Sequence, residues 1–337
     1  MSKWYCAAGH DSDVVFSSRI RLARNLEGYP FPNKMDLSQK CEVIQKVSDA
    51  LMSEGSPYYN KFRFYDMDKI SHVEALSLVE RHLISPDFAQ NGQGRALLLN
   101  DDETVSIMIN EEDHIRIQVI CAGFELDKCY AVANDIDCTL ERQLKFAFDE
   151  KLGYLTECPT NLGTGMRASA MIHVPALENI GALSSLSGTV SKIGLTMRGT
   201  YGEGSKIYGS MYQISNQITL GISEKSAIES LCGIINQIAV RERQARNEFD
   251  ADRLEDAVFR SYGILKNARL ISGEEFLKQM SNVRMGVGMG LITETDMAKV
   301  NSLIIECQPA SLQYKAGGSL DADARDKLRA RTVRESL

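Results

Sequence analysis

The segment HIRIQVI (114–120) alternates strictly, with Ile115, Ile117 and Val119 at every second position and His114, Arg116 and Gln118 between them. Successive side chains of a strand point to opposite faces, so this is a strand with one apolar and one polar side. Comparable β-like runs occur at FRFYDM (62–67), TVSIMIN (104–110), SAMIHV (169–174), LTMRGT (195–200) and SMYQISNQ (210–217). Together they predict a sheet with an apolar face and a polar, working face. A helical period rules elsewhere. From Asp36 to Ser53, apolar residues at Leu37, Cys41, Ile44, Val47 and Leu51 keep helical spacing behind Asp36 as cap. Longer helical patterns lie near 127–150 and 225–249, and beyond about residue 250 the β signal stops, leaving helices with short turns expected at Gly263, Gly273 and Gly290. The expected fold class is α+β: residues 1–250 form the sheet-containing domain and residues 251–337 a smaller, all-helical one.

Composition narrows the function classes. The chain has 337 residues, 44% hydrophobic and 25% charged, ordinary globular usage. Its net charge of −7 gives no general attraction to nucleic acid or to an anionic membrane. No run approaches the ~18 consecutive apolar residues that span a bilayer, and the opening MSKWYCAAGHDSDVV lacks the pattern of a secretory signal. The eight cysteines are scattered without a C-x-x-C pair, which fits reduced thiols better than disulfides or a zinc site. The expected location is the cytoplasm.

Five segments carry charge in strand or turn contexts. SSRIRLAR alternates Arg19 and Arg21 with Ile20 and Leu22, so both arginines point from one face. NEEDHIR (110–116) sets acids ahead of Arg116, CPTNLGTGMR (158–167) joins Cys158 to Arg167 through a glycine-punctuated turn, and RGTYGEGS (198–205) holds Arg198 and Glu203. The fifth, RDKLRA (325–330), lies in the helical tail. Each has a bland explanation by itself: a surface ion pair, a solvated acidic turn, a small buried thiol, a flexible hairpin. Five arginines converging on one site need a highly negative ligand, and a triphosphate is the obvious candidate, because the guanidinium fork matches phosphate oxygens in pairs. No G-x-x-x-x-G-K-[ST] loop and no H-R-D or D-F-G set is present, so an arginine cradle would take the place of a P-loop.

In order and spacing, SSRIRLAR, NEEDHIR, CPTNLGTGMR and RGTYGEGS resemble the guanidino (phosphagen) kinases over roughly residues 11–245. Two departures point to a narrower branch. The S-x-R-x-R motif begins at Ser17, leaving little room for the helical domain that precedes it in phosphagen kinases, and some ninety residues follow the catalytic region. Both features, with DSDVVFSSRIRLARNLEGYPFP, NEEDHIRIQ, YGEGS and QISNQITLG, are similar to the bacterial protein-arginine kinases (the McsB family).

The resemblance implies the guanidino kinase and glutamine synthetase type of antiparallel sheet flanked by helices, with ATP and Mg²⁺ as cosubstrate and ion and no protein ligand set for the metal. It implies that Arg19, Arg21, Arg116, Arg167 and Arg198 grip the nucleotide phosphates, that Glu112 and Glu203 hold the acceptor guanidinium, and that Cys158 lies beside it as an electrostatic helper. Arg325, Asp326 and Arg329 of RDKLRA, on one helical side, would bind phosphoarginine away from the active site. One position departs from the phosphagen kinases: the histidine expected near adenine is Leu99. The partners implied are protein substrates with exposed arginines, a Clp-type AAA+ chaperone, a stress-gene repressor, a zinc-finger activator protein and a possible second copy of the chain. The alternatives are a kinase of free arginine and a non-catalytic adaptor that binds nucleotide and phosphoarginine.

Overall fold

The computed structural model describes residues 2–199 and 209–337. Its centre is an eight-stranded antiparallel sheet in the order β2-β3-β4-β5-β1-β8-β10-β9. The strands are β1 (Val15–Arg24), β2 (Phe62–Asp66), β3 (Ala96–Asn100), β4 (Val105–Ile109), β5 (Ile115–Ala122), β8 (Met166–His173), β9 (Leu195–Gly199) and β10 (Met211–Asn216); β6 (Phe148–Asp149) and β7 (Gly153–Tyr154) form a separate small hairpin. The helices before residue 250 are α1 (Leu37–Met52), α2 (His72–Glu80), α3 (Pro86–Gln90), α4 (Leu126–Glu141), α5 (Pro175–Asn179), α6 (Leu183–Lys192) and α7 (Glu224–Asn247). The tail contributes α8 (Ala251–Asn267), α9 (Gly273–Gly288), α10 (Met297–Glu306), α11 (Pro309–Lys315) and α12 (Ala322–Ser336). Among the described residues no helix is long and apolar enough to cross a membrane.

The alternation of the strands decides the layers. Ile20, Leu22, Ile115, Ile117 and Val119 turn to one face, where Val43 and Val47 of α1, Ala133 and Ile136 of α4, and Leu231 and Ile235 of α7 complete a core. Asp36 caps α1 through a full capping box with Gln39. The opposite face is apolar only at its margins. There Phe16, Leu97, Leu99, Met108, Ile120, Met171 and Met211 share a second core with Val258 of α8, Phe276 and Met280 of α9, and Val300 and Leu303 of α10. The middle of that face stays polar and is where the cleft opens.

The tail is also bolted to the start of β1. The Arg284 guanidinium of α9 donates to the Asp13 carbonyl at 3.1 Å, and from α7, outside the tail, Arg243 adds a 2.5 Å ion pair with the Asp13 carboxylate. These contacts fix the strand that carries Arg19 and Arg21.

Several boundaries differ from the sequence reading. Ala96–Asn100 is a strand that alternation could not reveal, because Ala96, Leu97, Leu98 and Leu99 are all buried. The helix expected to run to 150 ends at Glu141, and Leu144 and Phe146 then turn back into the core ahead of the small hairpin. Gly263 lies inside α8 rather than in a turn, because Leu254, Val258, Tyr262 and Leu265 bury one continuous stripe. Gly273 is the first residue of α9, whose cap is Ser272. Gly290 does occupy a turn, at φ +75°.

Candidate active site

Strand register gathers the arginines. Arg21 lies opposite Arg167 on β8 and opposite Gln118 on β5, Ala23 lies opposite Arg116, and Gln213 on β10 lies opposite Arg198 on β9. Directly paired residues share a face, so side chains spread over nearly two hundred positions meet on one surface. Arg24, the next residue out of phase, turns to the other side. There it pairs with Asp137 at 2.7 Å and lies 3.5 Å over the Tyr154 ring, joining β1 to the small hairpin.

Two hollows open over this surface. Counting the space open to solvent, the larger spans about 760 Å³ and is lined by Arg19, Arg21, Arg116, Arg167, Arg198 and Gln118, with Val79, Ile84, Pro86 and Met108 as its apolar wall. The second, about 620 Å³, is lined by Glu112, Cys158, Thr160 and Asn161 together with Arg21, Arg116 and Arg167. Arg21, Arg116 and Arg167 are therefore the common wall of both.

The larger hollow is strongly cationic. Arg19 and Arg21 are half-buried, and desolvation, reinforced by Arg116 and Arg167, brings Arg19 down to about 10 and holds Arg21 well below the usual arginine range. Arg167 is lowered by burial, Arg198 and Arg116. The Nε atoms of Arg21 and Arg167 are buried without a hydrogen-bond partner among the described residues. Buried donors held against one another by like charge make a site that is satisfied when an oligoanion enters. Arg19 is aimed by a 2.6 Å hydrogen bond to the Gln213 side-chain oxygen.

The second hollow sets one carboxylate, Glu112, against the three shared arginines. Glu112, half-exposed, pairs with Arg116 at 2.8 Å, and the buried Glu111 holds the same guanidinium at 2.5 Å. Burial, Asp113 and Glu111 raise the Glu112 carboxyl, and Arg116 opposes them. The loop's shape is set beneath it. Asn25 donates to Asp113 at 2.7 Å, the Glu157 backbone N–H donates to the same oxygen at 2.9 Å, and the His114 N–H donates to the Asn25 side chain at 2.9 Å. Asp113 thus ties the loop that carries Glu112 to the segment that carries Cys158. His114 is structural, accepting the Leu26 N–H at 2.9 Å.

The turn between Cys158 and Arg167 needs its glycines. Gly163, at φ +107°, comes so close to the 219–220 backbone that an added Cβ would lie 2.2 Å from the Thr219 carbonyl oxygen, and Gly165, at φ +60°, faces the Ala23 carbonyl. Thr219 donates back to the Leu162 carbonyl at 2.7 Å. The Cys158 thiol contacts the Thr160 hydroxyl at 3.0 Å.

All five arginines, Glu112 and Cys158 are thus brought together, while Glu203 lies outside the described residues. Leu99 is buried in the second core and does not line the cleft. Residues the sequence reading left out are Gln118, His82, Ser85 and Gln213. Gln118 and Gln213 sit at in-phase positions of alternating strands and were within reach of the pattern. His82, in a loop at φ +61°, carries no such signal.

In the tail, Arg329 is buried. Its guanidinium donates to the Cys307 carbonyl at 3.0 Å, the Ile271 carbonyl at 2.8 Å and the Asp326 carboxylate at 2.6 Å. Arg325 and Asp326 are partly exposed on the same helix.

Comparison with known proteins gives one answer at three levels. Residues 42–245 match the family model of the ATP:guanido phosphotransferase C-terminal catalytic domain, and residues 251–337 match that of the protein-arginine kinase McsB C-terminal domain. The chain is 46% identical to the protein-arginine kinase of Halothermothrix orenii, covering 100% of this chain and 97% of that one. It is 45% identical to the protein-arginine kinase of Brevibacillus brevis, covering 100% and 95%. Among solved structures it resembles the duplicated taurocyamine kinase of Schistosoma mansoni with TM-score 0.62 at 27% identity, over 75% of this chain and 38% of that one. It shares the fold of lombricine kinase with TM-score 0.62 at 24% identity, over 73% of this chain and 71% of that one. A guanidino-kinase sheet with an arginine-lined cleft, followed by the matching helical tail, places this chain in the protein-arginine kinase family, whose members are phosphotransferases.

Proposed function

We propose that the larger hollow takes the ATP phosphates, that the second takes the guanidinium of a substrate arginine, and that phosphoryl transfer occurs across Arg21, Arg116 and Arg167. The shared wall is the observation that carries this reading. A phosphoryl group in transit spreads charge over its equatorial oxygens, and those three guanidiniums border both the donor and the acceptor space. Arg19 and Arg198 extend the cradle along the rest of the triphosphate.

On the acceptor side, Glu112 holds the incoming guanidinium and orients one nitrogen toward the γ-phosphorus. As the N–P bond forms and the bond from phosphorus to the ADP oxygen breaks, the nitrogen's proton passes to the carboxylate. An arginine nitrogen is a poor nucleophile while protonated, so grip and proton acceptance belong together. Glu203 is the second carboxylate of this reading, and Cys158 lies beside the guanidinium as an electrostatic helper, without a covalent role. Arg116 and the substrate arginine compete for Glu112, which Glu111 makes possible by keeping Arg116 paired when Glu112 turns away.

The cleft's fixed charges repel a bare divalent cation, and among the described residues no group of three or more His, Cys, Asp or Glu gathers for a metal. The residues therefore fit Mg²⁺ held by phosphate oxygens and water, where it would neutralise charge on the leaving ADP. In this reading the substrates are proteins with exposed arginines. Arg325, Asp326 and Arg329 read phosphoarginine, and the marked proteins pass to a Clp-type chaperone in the cytoplasm. A stress-gene repressor is among the substrates, and a zinc-finger protein activates the enzyme. The test is transfer from ATP to an unfolded, arginine-rich protein, with phosphoarginine identified by mass spectrometry. Labelling that is lost in Glu112→Gln supports the assignment, and labelling retained in that variant removes it.

A further inference from the structure

A large share of the cleft wall comes from one short stretch, the end of α2 and its link to α3: Val79, His82, Ile84, Ser85 and Pro86. On its inner side this stretch is held to the sheet. The Gln118 amide donates to the His82 carbonyl at 2.8 Å, and the Ser106 hydroxyl donates to the Leu83 carbonyl at 2.7 Å. Ser85 also hydrogen-bonds Glu111, which holds Arg116. On its outer side it is held by the tail. Glu80, the last residue of α2, accepts the backbone N–H of Ala310 at 2.8 Å, and the N–H and hydroxyl of Ser311 at 2.7 and 2.9 Å.

We infer that Glu80 is a positioning residue through which the C-terminal helices set the nucleotide-side wall of the cleft. Its two carboxylate oxygens take three donors at the start of α11, a junction that Arg329 supports from behind through the Cys307 carbonyl. Two residues beyond Glu80 the chain turns at His82 through a positive φ, so a shift of Glu80 is delivered directly to His82 and Ile84. The inference rests on the larger hollow being the nucleotide subsite. It goes further in giving the tail a direct mechanical hold on nucleotide affinity, separate from any ligand the tail itself binds.

The carboxylate geometry makes the claim testable. Glu80→Gln keeps the size of the side chain but turns one acceptor oxygen into a donor that faces backbone N–H groups. With ATP and an unfolded, arginine-rich protein as substrates, KM for ATP rises on the order of tenfold, while kcat and KM for the protein change less than twofold. Ser311→Ala removes a single bond and gives a smaller rise of the same kind, which keeps the test available if Glu80→Gln folds poorly. Lys315→Ala, which breaks the 2.7 Å pair with Glu306 elsewhere on α11, leaves KM for ATP unchanged. A folded Glu80→Gln with unaltered KM for ATP overturns the inference, as does a fall in kcat alone or an equal rise in KM from Lys315→Ala. Calorimetric titration with Mg²⁺–ADP reads the same affinity without any acceptor. Weakened ADP binding in Glu80→Gln upholds the inference even if the wild type transfers nothing to protein arginine, which would strike only at the acceptor assignment. Undiminished ADP binding overturns it.

Discussion

Replacing Arg19 with methionine removes a charge while leaving a flexible apolar side chain in its place. In the ligand-free protein burial, then Arg116 and Arg167, bring the Arg19 guanidinium down to about 10 from 12.5. At about 1.36 kcal/mol per pH unit, the charged form is roughly 3 kcal/mol costlier in the folded state than in the unfolded chain. Because the folded value is the lower one, this cost is fully present at any pH below about 10 and fades only between there and 12.5. The 2.6 Å bond to Gln213 offsets about 1 kcal/mol of it. Arg19→Met is therefore about 1–2 kcal/mol more stable than the wild type without ligand. With nucleotide bound the order reverses, since a charge-assisted phosphate contact is worth about 2–3 kcal/mol, and kcat/KM for ATP falls roughly 30- to 150-fold. Denaturant unfolding with and without Mg²⁺–ATP, together with steady-state kinetics, measures both halves. A variant that is less stable than the wild type without nucleotide and keeps kcat/KM for ATP within about threefold would refute the strained cradle.

Other expectations follow from the same geometry. Glu112→Gln lowers kcat about 10²- to 10³-fold with little change in KM for ATP; a change confined to KM for ATP would assign Glu112 to the wrong side of the wall. Because burial raises the Glu112 carboxyl and its ionised form is the working one, activity falls with acidification through a value above the usual carboxylate range, and a limb at or below that range contradicts this. Cys158→Ser retains measurable transfer, reduced about tenfold, whereas complete loss together with a trapped covalent adduct on the wild-type enzyme would make the thiol a nucleophile. Gly163→Ala, which combines a positive φ with the Thr219 clash, lowers stability by about 2 kcal/mol or more in thermal unfolding.

The cradle was legible in the sequence because a strand's two-residue period puts Arg19 and Arg21, or Arg116 and Gln118, on one face whatever the strand order. Register was not legible. That Arg21 faces Arg167, and Gln213 faces Arg198, depends on long-range pairing that no local pattern encodes. The strand Ala96–Asn100 escaped because burial on both sides erases alternation, and the interior position of Gly263 escaped because a continuous apolar stripe outweighs one residue's poor helix propensity. The tail was read as helical because the β signal stops near residue 250, but nothing local can say that Phe276 and Val300 complete a core with Leu97 and Met211 of the sheet. The Glu80 tie to Ala310 and Ser311 joins residues 230 positions apart, and only the folded chain brings them together. Arg329 illustrates the reverse case: the motif RDKLRA drew attention to it, and the structure gives that guanidinium two main-chain carbonyls and Asp326 to hold.

The central claim is that the hollow beside Glu112 accepts an arginine carried by a protein. The most direct measurement offers the purified enzyme ATP, free arginine and an unfolded arginine-rich protein in one reaction and quantifies acid-labile phosphoarginine in each product. Label on the protein, none on free arginine, and loss of both ATP turnover and label in Glu112→Gln is the predicted result. Turnover of free arginine with the protein unlabelled would contradict it.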